Sequence, residues 1–175
     1  VDSLLDRMEE KRDVDLIEDF ASAIPIEVIG NLLDVPVDER GPLREWSLAI
    51  LGALEPVLST DVAERGNRAV TEFINYLNDL IARRRANPGN PEIDVLTRLI
   101  LGEADGEKLS PKELIHNCIF LLNAGHETTT NLIGNGLVCL AEYTSQREQL
   151  LKQPDLIKLA VEEMLRFESS NQLGN

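Results

Sequence analysis

The residues best able to do chemistry lie together at Ala124-Gly125-His126-Glu127-Thr128-Thr129-Thr130-Asn131. Helix propensity opposes this run. Gly costs about 1 kcal/mol against Ala in a helix interior, and successive β-branched Thr residues add a few tenths each. A carboxylate buried beside them would add a desolvation cost. Sequences break local rules where function requires it. Ala124 and Gly125 remove side-chain bulk, so a flat ligand could approach the backbone. Thr128, four residues after Ala124, can bond that residue's carbonyl oxygen, which bends a helix and opens room for a water. Glu127 then sets a carboxylate beside a hydroxyl, and a carboxylate, an alcohol and a trapped water make a proton relay. The same residues also fit close packing of one helix on another, and their types alone leave both readings open.

Other chemistries find less support. Glu113-Leu114-Ile115-His116 has the ExxH spacing of di-iron bundles, but such a site needs a second ExxH and two more carboxylates. The remaining histidine, His126, has Asn123 three residues before it and is assigned no role. Cys118 and Cys139 have no CxxC spacing and sit in apolar company, so they read as buried, inert thiols. There is no G-x-S-x-G elbow and no Walker or Rossmann glycine pattern. The Arg83–Arg85 run reads as a solvated helix end. No metal-ligand set is expected.

Composition narrows the classes further. The 175 residues suffice for one ordinary domain with a core. Acidic residues number 31 against 17 basic, a net charge of −14, which disfavours nucleic acid and anionic lipid as partners. No apolar run approaches the ~20 residues needed to span a bilayer, and the cytoplasm is the expected location. The chain opens at Val1 in what reads as a helix already under way, and a piece of something longer is expected.

The elements that must position the run are almost all helical. Residues 1–12 carry Leu4, Leu5 and Met8 at helical spacing. From Asp15 to Leu33, the residues Leu16, Ile17, Phe20, Ile24, Val28 and Leu32 share one face, with Pro25 as a kink and Asp34-Val35-Pro36 as the stop. A helix is expected from Asp38, its N-cap, to Leu54. A long amphipathic helix is expected from Asp61 to Ala86, then the loop at Asn87-Pro88-Gly89-Asn90-Pro91, then a short helix from Ile93 to Leu101. Gly102 to Lys108 reads as a polar turn. Ser110-Pro111-Lys112-Glu113 is a capping box with proline at the first helical position. The stripe Leu114, Cys118, Leu121, Gly125, Leu132, Gly136, Leu140 runs from there to about Glu142. That is roughly 30 residues, or about 45 Å at the α-helical rise, with the unusual run at its middle. Helices near 146–152 and 155–169 close the chain. No strand pair with hairpin chemistry is found. The expected class is all-α, with eight or so helices.

Two motifs then carry a resemblance. Ala124-Gly125-His126-Glu127-Thr128-Thr129 resembles the (A/G)-G-x-(D/E)-T-(T/S) signature of cytochrome P450 enzymes, placed mid-way along the longest helix as in that family. Glu163-Met164-Leu165-Arg166 is similar to the family's ExxR motif on the helix after next. Asn31-Leu32-Leu33-Asp34-Val35-Pro36 resembles a segment that bacterial members carry after helix E. The resemblance covers the whole chain, from about helix D to helix K, and implies a partial P450 fold forming a single partial domain over residues 1–175.

The resemblance implies a heme b enzyme that uses dioxygen and two electrons to oxidise an organic small molecule, with a ferredoxin- or flavodoxin-type electron donor. By position, Glu127 and Thr128 would be the catalytic acid–alcohol pair. Ala124, Gly125 and Thr129 would lie against the heme. Phe120 and Asn123, one turn earlier, would face substrate. Glu163 and Arg166 would be structural, tying their helix to a later loop. The segments around Asp38–Leu54 and Asp61–Ala86 resemble helices F and G. One departure stands out: the FxxGxxxCxG loop that supplies the family's thiolate ligand does not occur in these residues. The expectation is therefore a segment inactive alone, belonging to a heme-thiolate monooxygenase. The alternative is a non-catalytic helical binding module in which Gly125 and the threonines are packing contacts.

Overall fold

The computed structural model describes residues 1–104 and 107–171. Eight α-helices account for most of them: α1 (Asp2–Glu9), α2 (Ala23–Leu32), α3 (Leu43–Gly52), α4 (Thr60–Ala86), α5 (Val95–Leu101), α6 (Pro111–Glu142), α7 (Thr144–Lys152) and α8 (Ile157–Phe167). The expected all-α class is what the chain adopts. One departure is small: β1 (Glu103–Ala104) and β2 (Glu107–Lys108) pair antiparallel, Glu103 opposite Lys108, where a simple polar turn was expected.

The chain divides into two compact units, one of Ile26–His126, the other of Val1–Pro25 with the chain from Glu127 onward. The first holds the main core. Phe73, Leu77 and Leu80 of α4 are buried with Leu33, Leu43, Leu96, Leu114, Cys118 and Leu122. Trp46 of α3 stacks on Phe73 at 5.2 Å between ring centroids, and Tyr76 lies beside it at 5.7 Å. Burying a side chain the size of Phe73 is worth about 2–3 kcal/mol. α4 begins at Thr60, one residue before the expected Asp61: Ser59 caps it by accepting from the Val62 amide.

Two boundaries differ from expectation, each for a stated reason. The segment 15–33 is not one helix. A π-helical turn at Ile17–Ala21 precedes α2. A π turn holds one extra residue, so the inward row expected at Ile24, Val28 and Leu32 moves on by one. Pro25, Ile29 and Leu33 are buried, while Val28 and Leu32 are exposed. Pro25 causes no break, because it lies in the first turn of α2, where its missing amide hydrogen has no helical partner to lose. The helix expected from Asp38 starts instead at Leu43. Val37–Glu39 form a separate 3-10 turn, and Gly41-Pro42 intervenes.

α2 stops as Asp34-Val35-Pro36 suggests. Asp34 takes the left-handed conformation (φ 48°). The Val35 amide reaches back to the Gly30 carbonyl at 2.8 Å and the Asp34 amide to the Asn31 carbonyl at 3.1 Å, a Schellman end. The segment after it is tied down by charge. Arg40, buried, donates to the Val35 carbonyl (3.0 Å), to Glu27 (2.6 Å) and to Asn31 (2.8 Å). Arg84, in the cationic last turn of α4, pairs with Asp34.

In the second unit, α6 meets its neighbours through glycines. A Cβ at Gly134 would stand 2.6 Å from Ile17, and one at Gly136 would stand 2.7 Å from the Met164 sulfur of α8. Tyr143 and Phe167 meet edge to face at 5.7 Å. A cleft of about 350 Å³ opens here, lined among others by Cys139, Tyr143, Leu159 and Met164.

Candidate functional site

α6 begins with the expected capping box. The Glu113 amide donates to the Ser110 hydroxyl at 3.3 Å, and the Ser110 amide donates to the Glu113 carboxylate at 2.8 Å. From there the helix is α-helical over 32 residues, with no 3-10 or π turn inside it. The Gly and Thr of the central run do not interrupt it.

The run presents two opposite faces. The inward row repeats every four residues: Leu114, Cys118, Leu122, His126 and Thr130 are all buried. The expected stripe through Leu121 is off by one position at that turn. The other face, at Phe120, Ala124, Glu127, Thr128 and Asn131, is exposed, with Phe120 67% accessible. Glu127 is therefore not the buried carboxylate that the sequence led one to expect. It stands on the exposed face of α6.

The residues assigned to a cofactor divide. Ala124 lies on the exposed face between Phe120 and Thr128. Thr129 is half-buried on the flank. Gly125 turns towards α2, where an added Cβ would stand 3.0 Å from the Ile29 Cδ1 atom. The missing side chain at Gly125 is thus accounted for by the close approach of Ile29. Asn123, assigned to substrate, is half-buried; its side-chain amide donates to the Ile119 carbonyl at 2.9 Å, leaving its Oδ1 buried and without a hydrogen bond among the described residues.

A planar cofactor fits the exposed row better than the flank. Ala124 contributes only a methyl group there, so a flat ring could lie close to the helix between Phe120 and Thr128. Cys118 does not fit as an iron ligand. It is fully buried, and burial pushes its thiol up to about 12, so it stays protonated. Among the described residues no cluster of His, Cys, Asp or Glu could hold a metal ion.

His126, which drew no assignment from the sequence, is the most constrained residue of the run. It is 1% exposed, and its Nδ1 shares a hydrogen bond of 3.0 Å with the Ser47 hydroxyl of α3, itself fully buried. Burial and the nearby charge of Arg44 both hold its imidazole below the usual range. The signal was present in the four-residue spacing from Leu122.

Glu163 and Arg166 face solvent on α8. The guanidinium donates two hydrogen bonds of 2.7 Å to the carboxylate, which lowers the pKa of Glu163 and raises that of Arg166. The motif is a closed pair within one helix turn.

Comparison with known proteins assigns the family. Residues 46–169 match the family model described as "Cytochrome P450". The chain belongs to the cytochrome P450 family. It is 36% identical over 173 residues to the biotin biosynthesis cytochrome P450 of Bacillus subtilis (strain 168), covering 99% of this chain and 43% of that protein. It is 39% identical over 168 residues to the vitamin D(3) 25-hydroxylase of Pseudonocardia autotrophica, covering 96% of this chain and 40% of that one. Among solved structures, P450BioI bound to a hexadec-9Z-enoic acid-ligated acyl carrier protein superposes with a TM-score of 0.85 at 36% identity, covering 95% of this chain and 42% of that one. The chain thus spans about two fifths of the length of these relatives. No helix of the described residues is long and apolar enough to cross a membrane.

Proposed function

We propose that this chain forms the oxygen-activating helix and surrounding core of a heme-dependent monooxygenase that oxidises an organic small molecule. The observation that carries this reading is the face of α6. Glu127 and Thr128, which family membership would make a proton-delivering pair, are exposed on the same side as Ala124 and Phe120, while the inward row is fully packed.

Heme, when bound, supplies the chemistry of dioxygen and of the two electrons. Ala124 and Thr128 would lie against it, with Thr129 at its edge. Gly125 serves instead to let α6 approach α2 through Ile29. Thr128 holds a transferable proton on its hydroxyl oxygen. Glu127, open to solvent, replaces that proton. Phe120 presents an apolar surface to substrate, and Asn123, half-buried three residues further on, borders it. The electron donor in this reading is a ferredoxin- or flavodoxin-type protein.

Gly125 against Ile29 is also what a purely structural helix would show, so the alternative of a non-catalytic helical binding module has one contact in its favour. Heme content separates the two. The protein as its gene encodes it, produced with heme precursor and then reduced under carbon monoxide, should show the absorption band of a thiolate-ligated heme. A colourless protein under those conditions overturns the enzyme reading and leaves the binding module.

A further inference from the structure

Two consecutive residues of α6 are held by two different helices. Gly125 is pressed on by Ile29 of α2, its absent Cβ position lying 3.0 Å from the Ile29 Cδ1 atom. His126 is fixed by the Ser47 hydroxyl of α3 at 3.0 Å. Successive residues of an α-helix point about 100° apart. A packing contact at one and a hydrogen bond at the next therefore oppose rotation of the helix about its own axis. Rotation is the motion that would re-aim Glu127 and Thr128, the next two residues, without unwinding the helix.

The hydrogen bond is also well built. His126 and Ser47 are 1% and 0% exposed, so no water competes for either group. Arg44, one turn before Ser47 on α3, adds a positive charge that disfavours the imidazolium, as does burial. Both effects favour the neutral imidazole, in which one ring nitrogen is a donor and the other an acceptor.

Resting on the function proposed above, we infer that His126 is a positioning residue: its hydrogen bond to Ser47 sets the rotation of α6 and so the aim of the Glu127 carboxylate and the Thr128 hydroxyl. It touches neither substrate nor cofactor and acts through its neighbours on the helix.

The test uses the full protein with Ser47→Ala, His126→Leu, the double variant, and His126→Asn, whose side-chain amide can place a polar atom near the position of Nδ1. Two readouts are taken: product formed per reducing equivalent consumed, and amide hydrogen exchange across residues 124–130. Ser47→Ala and His126→Leu should each lower the product yield several-fold while reductant is still consumed, and should speed exchange at Glu127 and Thr128. The double variant should be no worse than the worse single one, because both remove the same bond. His126→Asn should recover at least half of the loss. If the singles change only thermal stability and leave the yield within twofold, or if their effects multiply in the double variant, the positioning role is wrong. Should His126→Leu fail to fold, Ser47→Ala and His126→Asn decide alone. Should the protein take up no heme, the monooxygenase reading falls; exchange in Ser47→Ala then still decides the helix-locking claim, which unchanged exchange at Glu127 and Thr128 overturns.

Discussion

The carboxylate of Glu39 accepts both terminal nitrogens of Arg83, each at 2.7 Å. The Tyr76 hydroxyl donates to it as well, also at 2.7 Å. The 3-10 turn at Val37–Glu39 is thereby fastened to the last turns of α4. These bonds hold the Glu39 carboxyl down at about 2, the Arg83 guanidinium contributing most and the Tyr76 hydroxyl next.

A pH dependence follows. The unfolded chain binds a proton at Glu39 near pH 4.5, while the folded chain resists until near pH 2. The contribution is therefore complete above about pH 4.5 and is lost as pH falls towards 2. Part of the pair is exposed, so we expect it to be worth about 1 kcal/mol. Urea unfolding of Glu39→Gln should show that loss at pH 7 and a smaller difference from the parent at pH 3.

Gly125 sets a size limit on α6. Replacement by Ala gains helix propensity of about 1 kcal/mol but requires Ile29 to shift by a few tenths of an ångström, so stability should change little. Gly125→Val exceeds that room and should cost about 2 kcal/mol in thermal or urea unfolding. Adding Ile29→Ala should return part of it. Additive losses in that pair of variants would show that Ile29 is not what confines residue 125.

The capping box makes the start of α6 separable from its centre. Ser110→Ala should lower stability by about 1 kcal/mol. Glu113 is drawn below its ordinary range by the Ser110 side chain first and the Ser110 amide second; the side-chain share should vanish in the same variant, while the amide share remains. Carboxyl NMR titration of Glu113 measures it directly.

For the relay, Thr128→Ala in the heme-loaded protein should leave reductant consumption largely intact and lower product per electron several-fold. Glu127→Gln should slow turnover itself by about a hundredfold or more, within the usual range for a lost proton-transfer group. Unchanged yield in the first variant and unchanged rate in the second would remove the relay.

Much of this was legible in the residues, where local chemistry is strong. The capping box, the length of α6 and the stop at Asp34 all rest on interactions between near neighbours in sequence. Three features were not legible because they depend on a register or a distant partner. The π turn at Ile17–Ala21 moved the inward row of α2 by one residue, and nothing in a hydrophobic pattern marks such a turn. Glu127 was read as a buried carboxylate, yet the helix turns it outward. His126 was assigned no role, and its partner, Ser47, lies 79 positions away. The motif residues Ala124, Glu127 and Thr128 were readable as a spacing; which of them share a face required the structure.

The depth of Cys118 has a practical use. A thiol held protonated in the core is inert to maleimides at neutral pH. Cys139, half-buried at the rim of the α6–α8 cleft, is then the one site in this sequence where a fluorophore or spin label would attach. The chain comes ready for single-site spectroscopy without mutating any cysteine.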